Sequence, residues 1–318
     1  MKSFSDRLIE VLREKGSPVV VGLDPQLQSL PSEIKTRNFR RYGRNLKGAS
    51  RAVLEFNRRI LDVISPHVGV VKLQIAFYEA LGPHGIDSYQ KTARFALKRG
   101  LLVIGDIKRG DVGHTAEAYA EAHLGKVNID GLTTQGYGVD AVTLNPYLGG
   151  DSISPFLKTA KAYGKGLFIV VKSTNPSSRD FQDRRCGTRR LCELVAGEVN
   201  DWGSGLVGKS GYSAVGAVVA AGSPALGRRL RRLMPRAFFL VPGYGAQGTK
   251  AEDIRPYFNA DGYGAIVSSS RAIIFAYKNP LWKKKYGRKH GEKDWERAVE
   301  DAVLRMRQDV SRALGRGR

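Results

Sequence analysis

Cysteine is scarce in this sequence of 318 residues, and long apolar runs are absent from it. The two cysteines, Cys186 and Cys192, are six positions apart, which matches no zinc motif, and one pair is no disulfide framework. We therefore expect two ordinary thiols. No apolar stretch approaches the roughly 18 residues of a membrane span. The N-terminal MKSFSDRLIEVLREKG also lacks the apolar core of a secretory signal, so it predicts an amphipathic helix and a cytoplasmic protein.

Acidic residues are few relative to basic ones. Lys and Arg number 52 against 30 Asp and Glu, which leaves a net charge of +22 and a pI near 10.1. Such an excess attracts polyanions and can steer anionic metabolites toward a cleft. Much of it falls in residues 36–51, 178–190 and 278–318, and none of these segments interleaves aromatic residues regularly. A basic surface is sufficient to explain them, although charge alone leaves a nucleic-acid-binding protein as an alternative.

Short runs rich in β-branched residues recur through the chain and predict eight strands. Most are almost continuously apolar, as in parallel strands that are buried on both faces. The predicted strands are 19–24, 68–74, 101–108, 140–146, 166–174, 214–222, 237–243 and 264–270.

Segments with helical periodicity lie between these strands. The predicted helices are 50–65, 87–100, 114–125, 152–164, 189–203, 223–234, 250–258 and 295–314. Eight strand–helix units predict an α/β fold, a (β/α)8 TIM barrel that forms a single domain over residues 1–318. We expect an insertion or extended loop near 28–49 and a basic C-terminal segment, 278–318, that begins as a loop over 278–293. A doubly wound sheet is the main competitor, but no G-x-G-x-x-G follows the first strand.

Charged residues stand where the first three predicted strands end. Asp24 ends strand one, Lys72 lies on strand two, and strand three carries Asp106 and Lys108, with Asp111 in the loop that follows. Taken alone, GDIKRGDVGHT (105–115) is either a solvated turn or a reactive site. Because active sites of barrels gather at the carboxyl ends of strands, and because buried charges are costly unless paired, the group indicates function.

The loops after strands seven and eight resemble a phosphate site. Gly243 and Gly245 allow backbone N–H groups to approach an anion, and Arg271 can offer it a bidentate guanidinium. Taken singly, Gly243 is equally consistent with an ordinary turn residue, and Arg271 with a surface residue that caps a helix. Their joint occurrence in the two loops that usually hold phosphate in these barrels favours phosphate binding.

The motifs together resemble the orotidine 5'-phosphate decarboxylase family, in its longer bacterial-type branch. The resemblance covers residues 17–277 and is carried by VGLDPQ, VKLQIAFYEALGPHG, GDIKRGDVGHTAEAYA, VTLNPYLGGDS, KSTNPSS, VPGYGAQG and SSSRAI. It implies the decarboxylation of orotidine 5'-phosphate to uridine 5'-phosphate in pyrimidine biosynthesis, with no metal and no organic cofactor. The nearest rival is a magnesium-dependent sugar-phosphate decarboxylase of the same superfamily, which has a Glu ligand on strand two where this chain has Lys72.

The resemblance also assigns catalytic roles by position. Lys108 would protonate the pyrimidine ring, Asp106 would lie against the departing carboxylate, and Lys72 and Asp111 would complete an alternating charge network. The counterparts of Asp111 and Thr115 reach into the neighbouring subunit's site, which implies a homodimer with two shared sites.

Substrate-binding roles follow from the same resemblance. Asp24 would bind a ribose hydroxyl, and Gly243, Gly245 and Arg271 would hold the phosphate. The remaining candidates are Gln247 in a closing loop and Asn145 and Ser173 as pyrimidine or ribose contacts.

Overall fold

Eight parallel strands close into a barrel in the computed structural model, which describes residues 1–244, 251–286 and 294–315. The strands are β1 (Val19–Leu23), β2 (Val70–Gln74), β3 (Leu102–Arg109), β4 (Ala141–Leu144), β5 (Gly166–Lys172), β6 (Ser213–Val219), β7 (Ala237–Val241) and β8 (Ala265–Ser269). Each strand pairs with the next in sequence, and β8 closes the barrel against β1 through Val19–Val267 and its neighbours. The predicted TIM barrel is confirmed, and so are all eight predicted strands.

Helices surround the barrel and alternate with its strands. Their bounds are α1 Phe4–Lys15, α2 Ser32–Tyr42, α3 Leu46–Ile64, α4 Ala76–Glu79, α5 Gly82–Leu97, α6 Gly113–His123, α7 Gly150–Tyr163, α8 Leu191–Gly203, α9 Pro224–Leu233, α10 Ala251–Ile254, α11 Arg271–Ile274, α12 Pro280–Tyr286 and α13 Asp294–Ala313. None of the helices in the described ranges is long and apolar enough to cross a membrane.

Alternation along the strands divides the core in two. Val19 and Val21 of β1 face outward and pack with the surrounding helices, whereas Val20 faces the barrel interior together with Val70 and Ile104. Helix α1 covers the amino-terminal end of the barrel, because Leu8 and its apolar neighbours join the interior cluster. The opposite, carboxyl end is therefore left to polar side chains.

Two segments for which a loop was predicted contain helices, so the prediction of a loop was wrong there. Helix α2 occupies residues that we predicted as an insertion or extended loop, because Ile34 is fully buried and Asn38 donates to Glu55 at 2.7 Å. The predicted loop over 278–293 contains α12 as far as Tyr286, and residues 287–293 lie outside the described part.

Two small antiparallel hairpins were not predicted. One joins Lys126–Ile129 to Leu132–Gln135 and turns at Asp130 and Gly131, both with positive φ. Asp-Gly in that position is a strong hairpin signal, so this element could have been predicted from the sequence. The other joins Arg185–Cys186 to Arg189–Arg190 around Gly187. Both hairpins stand outside the barrel wall.

Candidate active site

Strand alternation brings three of the predicted charged residues into one cluster. Asp24 follows Val20 by four positions, Lys72 follows Val70 by two, and Asp106 follows Ile104 by two, so all three point into the carboxyl end of the barrel. Lys72 and Asp106 are almost fully buried. The cluster is thus an ionic layer on top of an apolar barrel core.

Asp106 is the centre of this cluster. Lys72 Nζ donates to Asp106 Oδ2 at 2.6 Å, and Lys108 Nζ donates to Asp106 Oδ1. Two neutral side chains also donate hydrogen bonds to Asp106. Thr143 Oγ1 lies 2.8 Å from Oδ1, and Gln74 Nε2 lies 3.0 Å from Oδ2. Each carboxylate oxygen therefore receives one ammonium and one neutral hydrogen bond.

The charges in the cluster stabilise one another. Burial alone would raise the pKa of Asp106, but Lys72 and Lys108 outweigh it and hold the pKa far below its usual range. Burial alone would lower the pKa of Lys72, but Asp106 and Asp24 outweigh that effect and raise it. Asp106 and Lys72 therefore stay ionised at neutral pH.

The backbone holds Lys108 in an unusual conformation. Its φ is +45°, in the left-handed region that non-glycine residues rarely adopt, and the register between β3 and β4 shifts between Gly105 and Arg109. The Lys108 N–H donates to Thr143 Oγ1 at 3.0 Å. The Lys108 side chain lies on the same face of β3 as Asp106, to which it donates, and it remains about half exposed to solvent.

Asp24 provides an unused acceptor beside the ion pair. Its Oδ1 lies 3.9 Å from Lys72 Nζ, is buried, and has no hydrogen-bond partner among the described residues. A buried carboxylate oxygen without a donor is costly, and a ligand hydroxyl at the barrel mouth would satisfy it.

Asp111 does not join the cluster within one chain. Its Oδ1 accepts the Val112 N–H at 2.8 Å, and it forms no ion pair with the described part of the chain. Thr115 follows in the first turn of α6 and is half-buried. The sequence-predicted contact between Asp111 and the lysines is therefore not made by this chain alone.

The loops after β4 and β5 contain the other predicted contacts. Asn145 is exposed and its Oδ1 accepts the Tyr147 N–H at 3.1 Å. Ser173 is held by Gln182, whose Oε1 accepts the Ser173 N–H at 2.9 Å. Lys172 donates to Asp183 at 2.8 Å, a pair that anchors this loop and that was not predicted from the sequence.

The predicted phosphate loops are described only in part. Gly243 has φ +91°, and a Cβ there would lie 3.4 Å from Thr174, so the loops after β7 and β5 approach each other. Arg271 is exposed at the start of α11, and its guanidinium makes no hydrogen bond or ion pair with the described residues. Gly245 and Gln247 lie outside the described residues.

Two polar residues of the cluster, Gln74 and Thr143, were not predicted from the sequence. Thr143 is fully buried and lies two positions after Ala141 on the interior side of β4, so the same alternation that found Asp106 identifies it in DAVTLNP. No group of three or more His, Cys, Asp or Glu within the described ranges is arranged to hold a metal ion.

A parallel (β/α)8 barrel with an ionic cluster at its carboxyl end defines a TIM-barrel enzyme. The model of the orotidine 5'-phosphate decarboxylase / HUMPS family matches residues 17–282. The orotidine 5'-phosphate decarboxylase of Caldicellulosiruptor saccharolyticus is 41% identical over 279 residues, which cover 88% of this chain and 92% of the relative. That of Rhodopirellula baltica is 36% identical over 98% of this chain and 99% of the relative.

Solved structures agree with the sequence comparisons. A structure of an orotidine-monophosphate decarboxylase from Toxoplasma gondii superimposes with a TM-score of 0.79 at 25% identity, covering 99% of this chain and 98% of that one. One from Streptomyces avermitilis gives 0.75 at 26% identity, with coverage of 99% and 97%. The chain belongs to the orotidine 5'-phosphate decarboxylase / HUMPS family, as the resemblance predicted.

Proposed function

We propose that this protein converts orotidine 5'-phosphate to uridine 5'-phosphate and carbon dioxide without a metal ion. The curated relatives at 34–41% identity are named for this reaction. The observation that carries the proposal is the pair of lysine ammonium groups on the two oxygens of Asp106 at the barrel mouth. Since the product is a pyrimidine nucleotide, we assign the protein to pyrimidine biosynthesis.

The reaction needs a cation where negative charge develops. When the bond between ring carbon 6 and the carboxylate breaks, its electron pair remains on carbon 6. The ammonium of Lys108 stabilises that charge and then transfers a proton to the same carbon. Its position is supported by the hydrogen bond to Asp106 and by the fixed backbone at φ +45°.

Asp106 and Lys72 act together in this proposal. Asp106 lies against the substrate carboxylate, and its depressed pKa keeps it ionised there, so the two like charges repel until carbon dioxide leaves. Lys72 balances the buried carboxylate and fixes its orientation through the 2.6 Å contact. Lys72 is therefore a positioning residue for both Asp106 and Asp24.

The rest of the substrate would extend from this cluster across the mouth of the barrel. Asp24 has a buried oxygen free to accept a ribose hydroxyl. Arg271 is an exposed guanidinium free of described partners at the end of β8, where phosphate binds in many barrels. We assign Gly243, Gly245 and Gln247 to the phosphate side, and Asn145 and Ser173 to the pyrimidine or ribose.

The magnesium-dependent alternative is disfavoured by Lys72. The family model includes enzymes other than the decarboxylase. The residue at position 72 on β2 therefore distinguishes the decarboxylase from the magnesium-dependent alternative. Here the Lys72 ammonium contacts Asp106 at 2.6 Å and approaches Asp24 to 3.9 Å, where it would repel a divalent cation from both carboxylates.

A spectrophotometric assay with orotidine 5'-phosphate should show the same loss of ultraviolet absorbance with and without a chelator. Turnover that a chelator abolishes and magnesium restores would contradict the metal-free mechanism.

We also propose a homodimer with shared active sites. Asp111 does not reach the cluster of its own chain, so a second copy would have to supply it. Five exposed large apolar side chains fall between the end of β3 and the start of α7, and they are Val112, Ile129, Leu132, Tyr147 and Leu148. Of these, Val112, Tyr147 and Leu148 lie in segments that follow β3 and β4, at the same end of the barrel as Asp111, which supports a protein interface there.

The assignment of Lys108 is tested by Lys108→Ala. We expect kcat to fall by about three orders of magnitude or more, because the variant loses both the proton donor and the cation. The matched control is Lys98→Ala, an exposed lysine at the end of α5, before the start of β3, which should retain wild-type turnover. Substantial residual activity in a correctly folded Lys108→Ala protein would refute the role of Lys108.

A further inference from the structure

A basic cavity lies beside the loop that carries Ser173 of the candidate active site. It has a volume of about 310 Å³, and four arginines from two elements line it. Arg185 and Arg190 come from the hairpin before α8, and Arg229 and Arg232 come from α9. The remaining lining residues are Thr188, Glu193, Ser223, Ala225 and Leu226. Four guanidinium groups therefore face one small space.

The one carboxylate that lines this cavity is already occupied. Glu193 is almost fully buried, its Oε1 forms an ion pair with Arg229 Nε at 2.5 Å, and its Oε2 accepts the Arg190 N–H at 2.8 Å. Arg185 and Arg232 have no ion-pair partner among the described residues. Since Arg190 pairs with Asp183 outside the lining, the guanidinium groups of Arg185 and Arg232 are left as two uncompensated positive charges, which repel one another unless an anion enters.

We propose that this cavity is a binding site for a small anion with two or more phosphate groups. Arginine binds phosphate oxygens through its planar, bidentate fork, and several arginines around one space suit a multiply charged ligand better than a single carboxylate. The volume accommodates pyrophosphate or the diphosphate part of a nucleotide.

This site is separate from the one proposed for the substrate phosphate. The arginine cavity is built by the segments after β5 and β6, whereas Arg271 and Gly243 follow β8 and β7. The inference also does not depend on the decarboxylase activity, since it concerns binding alone.

Arg190 connects the cavity to the active-site loop. It also lines an adjacent cavity of about 320 Å³ that contains Lys172 and Ser173, and it lies 3.6 Å from Asp183, the partner of Lys172. If a bound anion attracts Arg190, the ion pair between Arg190 and Asp183 is lost, and Asp183 then pairs with Lys172 alone. Occupancy of the arginine cavity is therefore coupled to the loop that carries Ser173.

Isothermal titration of the full chain with inorganic pyrophosphate tests the proposal. We compare Arg232→Gln with Arg228→Gln, because both arginines are exposed on α9 and only Arg232 lines the cavity. Arg232→Gln and Arg185→Gln should each weaken pyrophosphate binding at least fivefold, whereas Arg228→Gln should leave it within twofold of wild type. Arg271→Gln should also retain binding.

Three results would overturn the inference. The first is no heat of binding to the wild-type protein at millimolar pyrophosphate. The second is equal weakening by Arg232→Gln and Arg228→Gln, which would indicate a general effect of charge. The third is loss of binding in Arg271→Gln with retention in Arg232→Gln, which would locate the anion at the substrate phosphate site instead.

Discussion

Asp106 is held ionised by its neighbours, and this makes protein stability depend on pH. Its pKa in the folded protein is far below the unfolded value of 3.8, so the folded state resists taking up a proton that the unfolded chain accepts. The stability gained from the ionised carboxylate is fully present above about pH 4 and is lost as the pH falls below that. We therefore expect Asp106→Asn to flatten the decline in stability between about pH 5 and pH 3.

Urea unfolding at a series of pH values measures this effect. One carboxylate contributes at most about 1.4 kcal/mol per pH unit, so the slopes of wild type and variant should differ by up to that amount. Asp130→Asn is the control, because Asp130 lies exposed in the hairpin turn and asparagine suits its positive φ. Equal slopes in wild type and Asp106→Asn would contradict the depressed pKa.

The backbone of Lys108 gives a second prediction at the scale of one residue. A non-glycine residue in the left-handed region costs about 1–2 kcal/mol, and Lys108 has φ +45°. The free energy of unfolding of Lys108→Gly should therefore exceed that of Lys108→Ala by about 1 kcal/mol, although both variants should be inactive. Chemical denaturation of the two variants checks the difference. A glycine variant that is the less stable of the pair would show that the conformation is not strained.

At the scale of elements, α9 contains a basic run in which one arginine has a structural role. In RRLRRL, Arg231 is buried, and its guanidinium donates to the carbonyl oxygens of Met234, Ala237, Tyr257 and Gly264. It also stacks on Phe239, with the ring centroid 3.6 Å away. Burial lowers the pKa of Arg231 to about 10, so it stays charged at neutral pH. Arg231 thus fastens α9 to β7 and to the segment before β8.

Arg231→Gln should cost about 3 kcal/mol or more in unfolding free energy, because it leaves buried carbonyl groups without donors. Its neighbour Arg228 is exposed, so Arg228→Gln should change stability by less than about 0.5 kcal/mol. Thermal or urea unfolding separates the two substitutions. If Arg231→Gln and Arg228→Gln had similar free energies of unfolding, water would be replacing the Arg231 guanidinium with no loss of stability.

The same elements explain which features the sequence could predict. Period-two alternation and apolar runs identify all eight strands and place Asp24, Lys72 and Asp106 on one face. Helix α2 was missed because its buried side is narrow, with Ile34 and Asn38 as its buried residues. The same alternation places Lys108 on the face of Asp106, as observed, but no local pattern in GDIKRGD specifies its positive φ or the register shift beside it. Likewise, Asp111 is visible as a charge in the sequence, but its direction is set by the turn at Val112.

For the whole molecule, the decisive question is whether two chains complete one site. The exposed apolar residues Val112, Tyr147 and Leu148, which like Asp111 lie in segments that follow β3 and β4, and the separation of Asp111 from the lysine cluster both favour a composite site. If each site takes Lys108 from one chain and Asp111 from the other, Lys108→Ala and Asp111→Ala homodimers should both be inactive. A mixed dimer, however, contains one site with neither substitution.

Mixing the two variants therefore tests the shared site directly. With free exchange of subunits, half of the dimers are mixed and each has one intact site, so activity should recover to about one quarter of the wild-type value. Differently tagged chains, purified through both tags, verify that exchange has occurred. Because a site built within one chain gains nothing from exchange, a mixture that stays inactive despite verified mixed dimers would mean that Asp111 acts on the lysines of its own chain.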